Sequence, residues 1–190
     1  MTGKHILREI ERALKKERYA TVLELATQLL NAGPEWKIDG YLFRGVAYEN
    51  GGEDLAQDLN KAIQDYRQLT VIAPTGVAYQ YLARALMSQG QENYPAAFRY
   101  LQEGYKLRNR PGLILGFAEY YKTKEAPELE IARNYYLRAA LHGRFMGFFG
   151  YAEISRALGQ PIRAIAADCI RLCTGPFLAL MLGSTARERF

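Results

Sequence analysis

The stretch AALHGRFMGFFGYAEISRALGQ (residues 139–160) decides the fold. Ala-Ala-Leu continues an apolar helix, and His142-Gly143 stops it. A glycine just past a helix supplies the left-handed conformation in which chains leave helices. Small and aromatic residues then alternate at three- and four-residue spacing from Phe145 to Leu158, which reads as a second helix. Gly159 and Pro161 close that helix and open a third. Two helices joined by so short a link must lie antiparallel.

The same punctuation runs through the chain. Helices are expected at 4–16, 20–31, 35–49, 56–71, 77–88, 95–107, 113–121, 127–141, 145–158, 161–173 and 176–182, and no strand pattern interrupts them. Prolines 95, 127, 161 and 176 stand at or near helix starts, where no intrahelical bond is lost. Ala62, Ala97 and Ala132 are 35 residues apart, and Ala164 follows at 32. One turn later come Tyr66, Leu101, Tyr136 and Asp168, large in three of four cases. First helices carry small residues too, at Gly45, Ala83, Gly116 or Ala118, and Ala152. Close helix pairs need a small residue opposite a large one. Repeating that need gives an α-solenoid, each unit burying its apolar face on the next.

RNYYLRAALHGRFMGFFGYAEISRALGQPIRA (133–164) resembles the Sel1-like branch of the tetratricopeptide repeats, as does YLFRGVAYENGGEDLAQDLNKAIQDYRQL (41–69). YLARALMSQGQENYPAAFRYLQEGYKL (81–107) is similar to a plain tetratricopeptide unit, and KKERYATVLELATQLLNAGP (15–34) to the second half of one. The expected architecture is all-α: a right-handed solenoid of antiparallel pairs, about ten helices in a single repeat domain, 1–190. Its units fall at 4–34, 35–75, 77–110, 112–143 and 145–175, with a capping helix and tail at 176–190.

Composition narrows the function. Eight arginines face three acidic residues between 133 and 190, which supplies the chain's net +5 and would suit an acidic partner. Acidic residues interleave elsewhere and no basic block exists, so nucleic acid is the poorer fit, although tyrosines beside arginines could stack single-stranded bases. Cys169 and Cys173 share a helix face and are expected as two buried free thiols without a metal partner set or a disulfide framework. Residues 1–17 form a charged amphipathic helix with Arg8, Glu9, Arg12, Lys15 and Lys16 as a polar cap, not a secretory leader. PFLALMLG (176–183) is too short to span a membrane, is strongly apolar, and is a candidate homodimer contact. The chain is expected in the bacterial cytoplasm.

No phosphate-binding glycine loop and no HExxH occurs. His142 is placed to cap carbonyls, and the acidic pairs Glu53–Asp54 and Glu128–Glu130 suit turns and helix N-termini. No catalytic residue, metal or cofactor is assigned. Tyrosine with arginine is a hot-spot composition. The resemblance implies a concave face lined by first helices, which places Glu49, Asn50, Arg84, Met87 and Ser88 there, all expected exposed. Phe117, Tyr120, Tyr121, Glu153 and Arg156 are expected beside them. The function expected is a non-catalytic protein-binding module: an inhibitor of the immunity type or an adaptor, with a secretion or regulatory chaperone as the alternative.

Overall fold

The computed structural model describes residues 2–107 and 111–182, without the side chains of Pro111 and of 173–182. Among the described residues there are ten α-helices and no strand. They fall into two compact units, Met1–Tyr100 and Leu101–Phe190.

The first unit holds α1 (Gly3–Leu14), α2 (Tyr19–Ala32), α3 (Lys37–Asn50), α4 (Leu59–Ile72), α5 (Gly76–Gln89) and the start of α6 (Tyr94–Tyr105). Each of α2 to α5 packs on the helix before it. α1 buries Ile6, Ile10 and Ala13 against Val22, Ala26 and Leu29 of α2. Of the residues expected to form a polar cap, Arg8, Arg12, Lys15 and Lys16 are exposed and Glu9 is half-buried; Lys4 and Glu11 add to the charged outer face of α1. α4 starts three residues later than the expected 56. Residues 51–58 form a loop instead, tied by Gly52 N–H to the Leu55 carbonyl (2.7 Å) and Asp58 N–H to the Tyr48 carbonyl (2.8 Å). Asp58 then caps α4, accepting from Lys61 N–H at 3.0 Å.

The second unit holds the end of α6, α7 (Pro111–Thr123), α8 (Leu129–Leu141), α9 (Met146–Ala157) and α10 (Pro161–Leu182). The opening stretch closes as read. Gly143 takes φ +81°, with Gly143 N–H on the Ala140 carbonyl and Arg144 N–H on the Ala139 carbonyl. Gly147 and Gly150 bring α9 against α8. A side chain at Gly147 would press into the Tyr136 carbonyl and lie 2.6 Å from the Ala140 nitrogen. One at Gly150 would enter the Tyr136 ring. The small-on-large contact therefore falls here between one pair and the next, and not only within a pair.

The periodic alanines have one physical meaning. Ala62, Ala97, Ala132 and Ala164 are each fully buried, as are Tyr66 and Leu101 one turn on. Two expectations at the C-terminal end fail. The turn placed at Gly175–Pro176 is absent, and one continuous helix of 22 residues replaces the expected 161–173 and 176–182. Pro176, expected at a helix start, stands inside that helix. Cys169 is exposed instead of buried, because α10 turns Ala164 and Ala167 inward and the cysteine outward. The Cys173 side chain and the apolar run at 176–183 lie outside the described side chains.

Candidate functional site

In the first unit one carboxylate, Glu49, joins α3 to α4 and α5, and of the other candidate residues it meets Arg84. Gly45 has no side chain, so the Tyr66 ring of α4 lies directly on α3; a Cβ there would be 2.5 Å from the ring. That placement aims the phenol at Glu49, and Tyr66 O–H donates to Glu49 Oε2 at 2.7 Å. From α5, Arg84 donates Nε to Oε1 (2.7 Å) and Nη2 to Oε2 (2.6 Å), a bidentate pair. Glu49 is thus buried, at 7 % exposure, which corrects its expected exposure: its carboxylate is taken up by Arg84 and Tyr66. Arg84 remains 46 % exposed and lies over the Tyr81 ring, 4.7 Å from its centroid. Burial, then the Glu49 charge and hydrogen bond, push the Tyr66 phenol far above its ordinary value. Asn50 and Ser88 are exposed and Met87 is half-buried. Asn50 is turned back on its own helix, donating Nδ2 to the Val46 carbonyl at 2.8 Å.

A second bidentate pair links α3 to α4. Arg44 Nε and Nη2 meet buried Asp65 at 2.9 and 2.7 Å, with Tyr41 beneath the guanidinium. These groups border an open polar hollow of ≈ 610 Å³ with Gln64, Arg67 and Gln68. A larger hollow, ≈ 740 Å³, opens where Lys16–Tyr19 face Asn50–Asp54. There Asp54 accepts from Ala20 N–H at 3.2 Å, so this member of the Glu53–Asp54 pair serves the N-terminus of α2.

The second unit repeats the carboxylate–phenol pair. Glu119 and Tyr136 stand 70 residues after Glu49 and Tyr66, and Tyr136 O–H donates to Glu119. Burial, then that hydrogen bond, raise the phenol far above its usual range. Among the described residues no arginine pairs with Glu119 as Arg84 pairs with Glu49. Instead Lys122 pairs with Glu153 across α7 and α9 (2.9 Å), and Arg156 pairs with Asp168 across α9 and α10.

Phe117 is buried at 6 %, a second correction: it stacks on Tyr135 (5.3 Å) and meets Tyr105 edge-on (5.8 Å). Tyr121 stacks on the same Tyr135 ring at 5.6 Å and 10°, so Tyr135 lies between two rings one helical turn apart. Tyr120 meets Tyr121 edge-on, and Arg138 lies over Tyr135. Tyr120 and Tyr121 are half-buried, and Glu153 and Arg156 are exposed.

His142 is exposed at the end of α8, where its backbone N–H serves the Arg138 and Ala139 carbonyls. Glu128 pairs with Lys124, and Glu130 with Arg133. Among the described residues no cluster of three metal-ligating side chains occurs, and no helix is long and apolar enough to cross a membrane. Sequence reasoning missed Tyr66, Tyr81, Glu119, Lys122, Tyr135 and Tyr136 as members of these clusters. The 70-residue recurrence of Glu and Tyr is the signal that would have found two of them.

No family model matches the chain, and no curated protein matches it. Two solved structures of MamA, a tetratricopeptide-like protein, resemble it. One is 17 % identical with a TM-score of 0.54, covering 83 % of this chain and 89 % of that chain. The other is 16 % identical with a TM-score of 0.54, covering 87 % of each. At such identity the likeness is one of fold, and it agrees with the helix-pair pattern of the sequence: the chain is an all-α protein of the α-solenoid class.

Proposed function

We propose that the chain is a non-catalytic protein-interaction scaffold of the tetratricopeptide type, in its Sel1-like branch, that binds one partner protein through the exposed faces of its first helices. The observation that supports this most is Arg84. Its guanidinium is fixed by two bonds to Glu49 and by the Tyr81 ring, yet nearly half of the side chain stays in solvent. A hot-spot residue held in place before binding loses little entropy when a partner arrives. Met87 and Ser88 extend that patch in the first unit. In the second, Tyr120, Tyr121, Glu153 and Arg156 form a comparable one on α7 and α9. Asn50 flanks the first patch, whereas Glu49 and Phe117 support the patches from below. The biological roles in view are an adaptor, or an inhibitor of the immunity type in the bacterial cytoplasm, with a secretion or regulatory chaperone as the alternative. The arginine excess favours a partner with an acidic surface.

The test is a pull-down from source-cell lysate with the wild type beside a variant carrying Arg84→Ala, Tyr120→Ala and Arg156→Ala. One stoichiometric partner, lost by a variant of unchanged helicity, supports the reading. A partner retained by that variant overturns the assignment of these faces. Retention of nucleic acid with a steep salt dependence would overturn the protein-binding reading itself.

A further inference from the structure

The described part of α10 carries an apolar stripe that none of the other described helices covers. Ile162, Ile165 and Leu172 are 82 %, 60 % and 62 % exposed, and Cys169 is exposed between them. Their spacing of three, four and three residues is that of the a and d positions of a heptad. The opposite face of the helix, with Ala164 and Ala167, packs on α9. Ala166 widens the stripe on its exposed side. A continuous apolar strip on a helix otherwise docked in its own unit marks an interaction surface.

We propose that this stripe is a self-association seam, which pairs with the same stripe of a second copy about a two-fold axis. Three observations select that occupant. A heptad seam is filled by a helix of matching spacing, and among the other described helices none exposes four apolar residues at that spacing. The outward face of α1 cannot serve as a heterologous docking surface. It presents Lys4, Arg8, Glu11, Arg12 and Lys15, and covering them with isoleucine would strip water from charges without pairing them. The stripe is thus complementary to itself, which makes the contact isologous and closed at two copies. Ile162, Ile165 and Leu172 keep most of their surface in solvent, so two stripes with their flanking side chains would bury an area at the small end of specific interfaces, which begin near ~1,000 Å². The stripe shares no residue with the faces assigned above to a partner protein, although the Arg156–Asp168 pair brings the second-unit patch beside it.

Sedimentation and light scattering over a dilution series test the proposal, with the wild type beside an Ile165→Asp/Leu172→Asp variant. Both positions are more than half exposed, so the variant keeps its far-UV circular dichroism and melting curve. The expected result is a wild-type dimer at about 100 μM that dissociates on dilution through the micromolar range, as suits so small an interface, and a variant monomeric throughout. Cys169 gives a second readout in a Cys173→Ser background. Its alkylation slows as concentration rises with the native stripe and stays fast in the variant. A wild type monomeric at about 100 μM, or a dimer that survives both aspartates, would overturn the seam. So would alkylation of Cys169 at a rate independent of concentration, since a slow constant rate means another occupant covers the stripe.

Discussion

Replacing Gly147 with alanine tests how α8 and α9 are held together. The added Cβ would overlap the Tyr136 carbonyl oxygen, lie 2.6 Å from the Ala140 nitrogen and 3.1 Å from its Cα. All three atoms are backbone, so no rotamer change relieves them. Ordinary contact begins at 3.4 Å, and reaching it requires the helices to part by about 1 Å, a gap that forfeits a quarter to a half of each dispersion contact along the interface. Overpacking of this kind costs about 1–3 kcal/mol or somewhat more, and alanine returns about 1 kcal/mol of helix propensity. A clash with backbone atoms that cannot rotate away puts the cost at the upper end of that range, so the expected net loss is about 2 kcal/mol, or a melting temperature lower by roughly 4–8 °C in a chain of this size. Gly143→Ala, four residues earlier, is the control. It meets nothing within 4 Å, and its φ of +81° is its one demand. Alanine there costs about 1 kcal/mol of left-handed strain, partly offset by a less flexible unfolded chain. Urea unfolding followed by circular dichroism ranks the two. If Gly147→Ala unfolds with the wild type, or Gly143→Ala falls further than Gly147→Ala, the close approach of α9 through Gly147 is wrong.

Glu17 is the one non-glycine residue at positive φ among the described residues (+52°), where α1 ends with Arg18 N–H on the Ala13 carbonyl. Glu17→Gly should therefore raise stability by about 0.5–1 kcal/mol in thermal unfolding, relief of strain exceeding the added chain entropy. Arg84→Ala should cost about 1–2 kcal/mol, low for a bidentate pair because the arginine is nearly half exposed, and a double-mutant cycle with Glu49→Gln should return about 1 kcal/mol of coupling. Additive losses in that cycle would show that the pair does not act as a unit. Tyr66 and Tyr136 are held protonated in the fold, by burial first and then by Glu49 and Glu119. Their contribution is present in full below the unfolded tyrosine pKa of about 10 and is lost as pH rises beyond it toward the folded values. Unfolding midpoints should fall above about pH 10, and Tyr66→Phe should flatten that fall.

Much of the architecture was legible because its determinants are local. Helix starts at proline, stops at glycine and apolar residues at three and four are written within single turns of chain. Boundaries failed where a distant group intervened. The loop at 51–58 is set by Asp58 reaching the Tyr48 carbonyl, and no local signal separates it from the first turn of α4. The candidate site was legible in part. Arg84, Tyr120, Tyr121, Glu153 and Arg156 stand on the helices expected and keep solvent contact in whole or part. Glu49 and Phe117 were misplaced because a helical wheel gives the direction of a side chain but not what stands opposite. Arg84 from α5 and Tyr66 from α4 bury the one, and Tyr135 from α8 buries the other.

The sequence by itself determined the class of fold, through alanines 35 residues apart and the helix punctuation between them, since propensity, capping and periodicity act over a few residues. Tertiary structure alone decided which polar residues become anchors and which apolar ones stay in solvent. Glu49 carries the same charge as Glu153, and Ile165 is as apolar as Ile154. One member of each pair is buried and the other exposed because burial is a property of the neighbouring helix, and that neighbour is chosen only when the pairs stack.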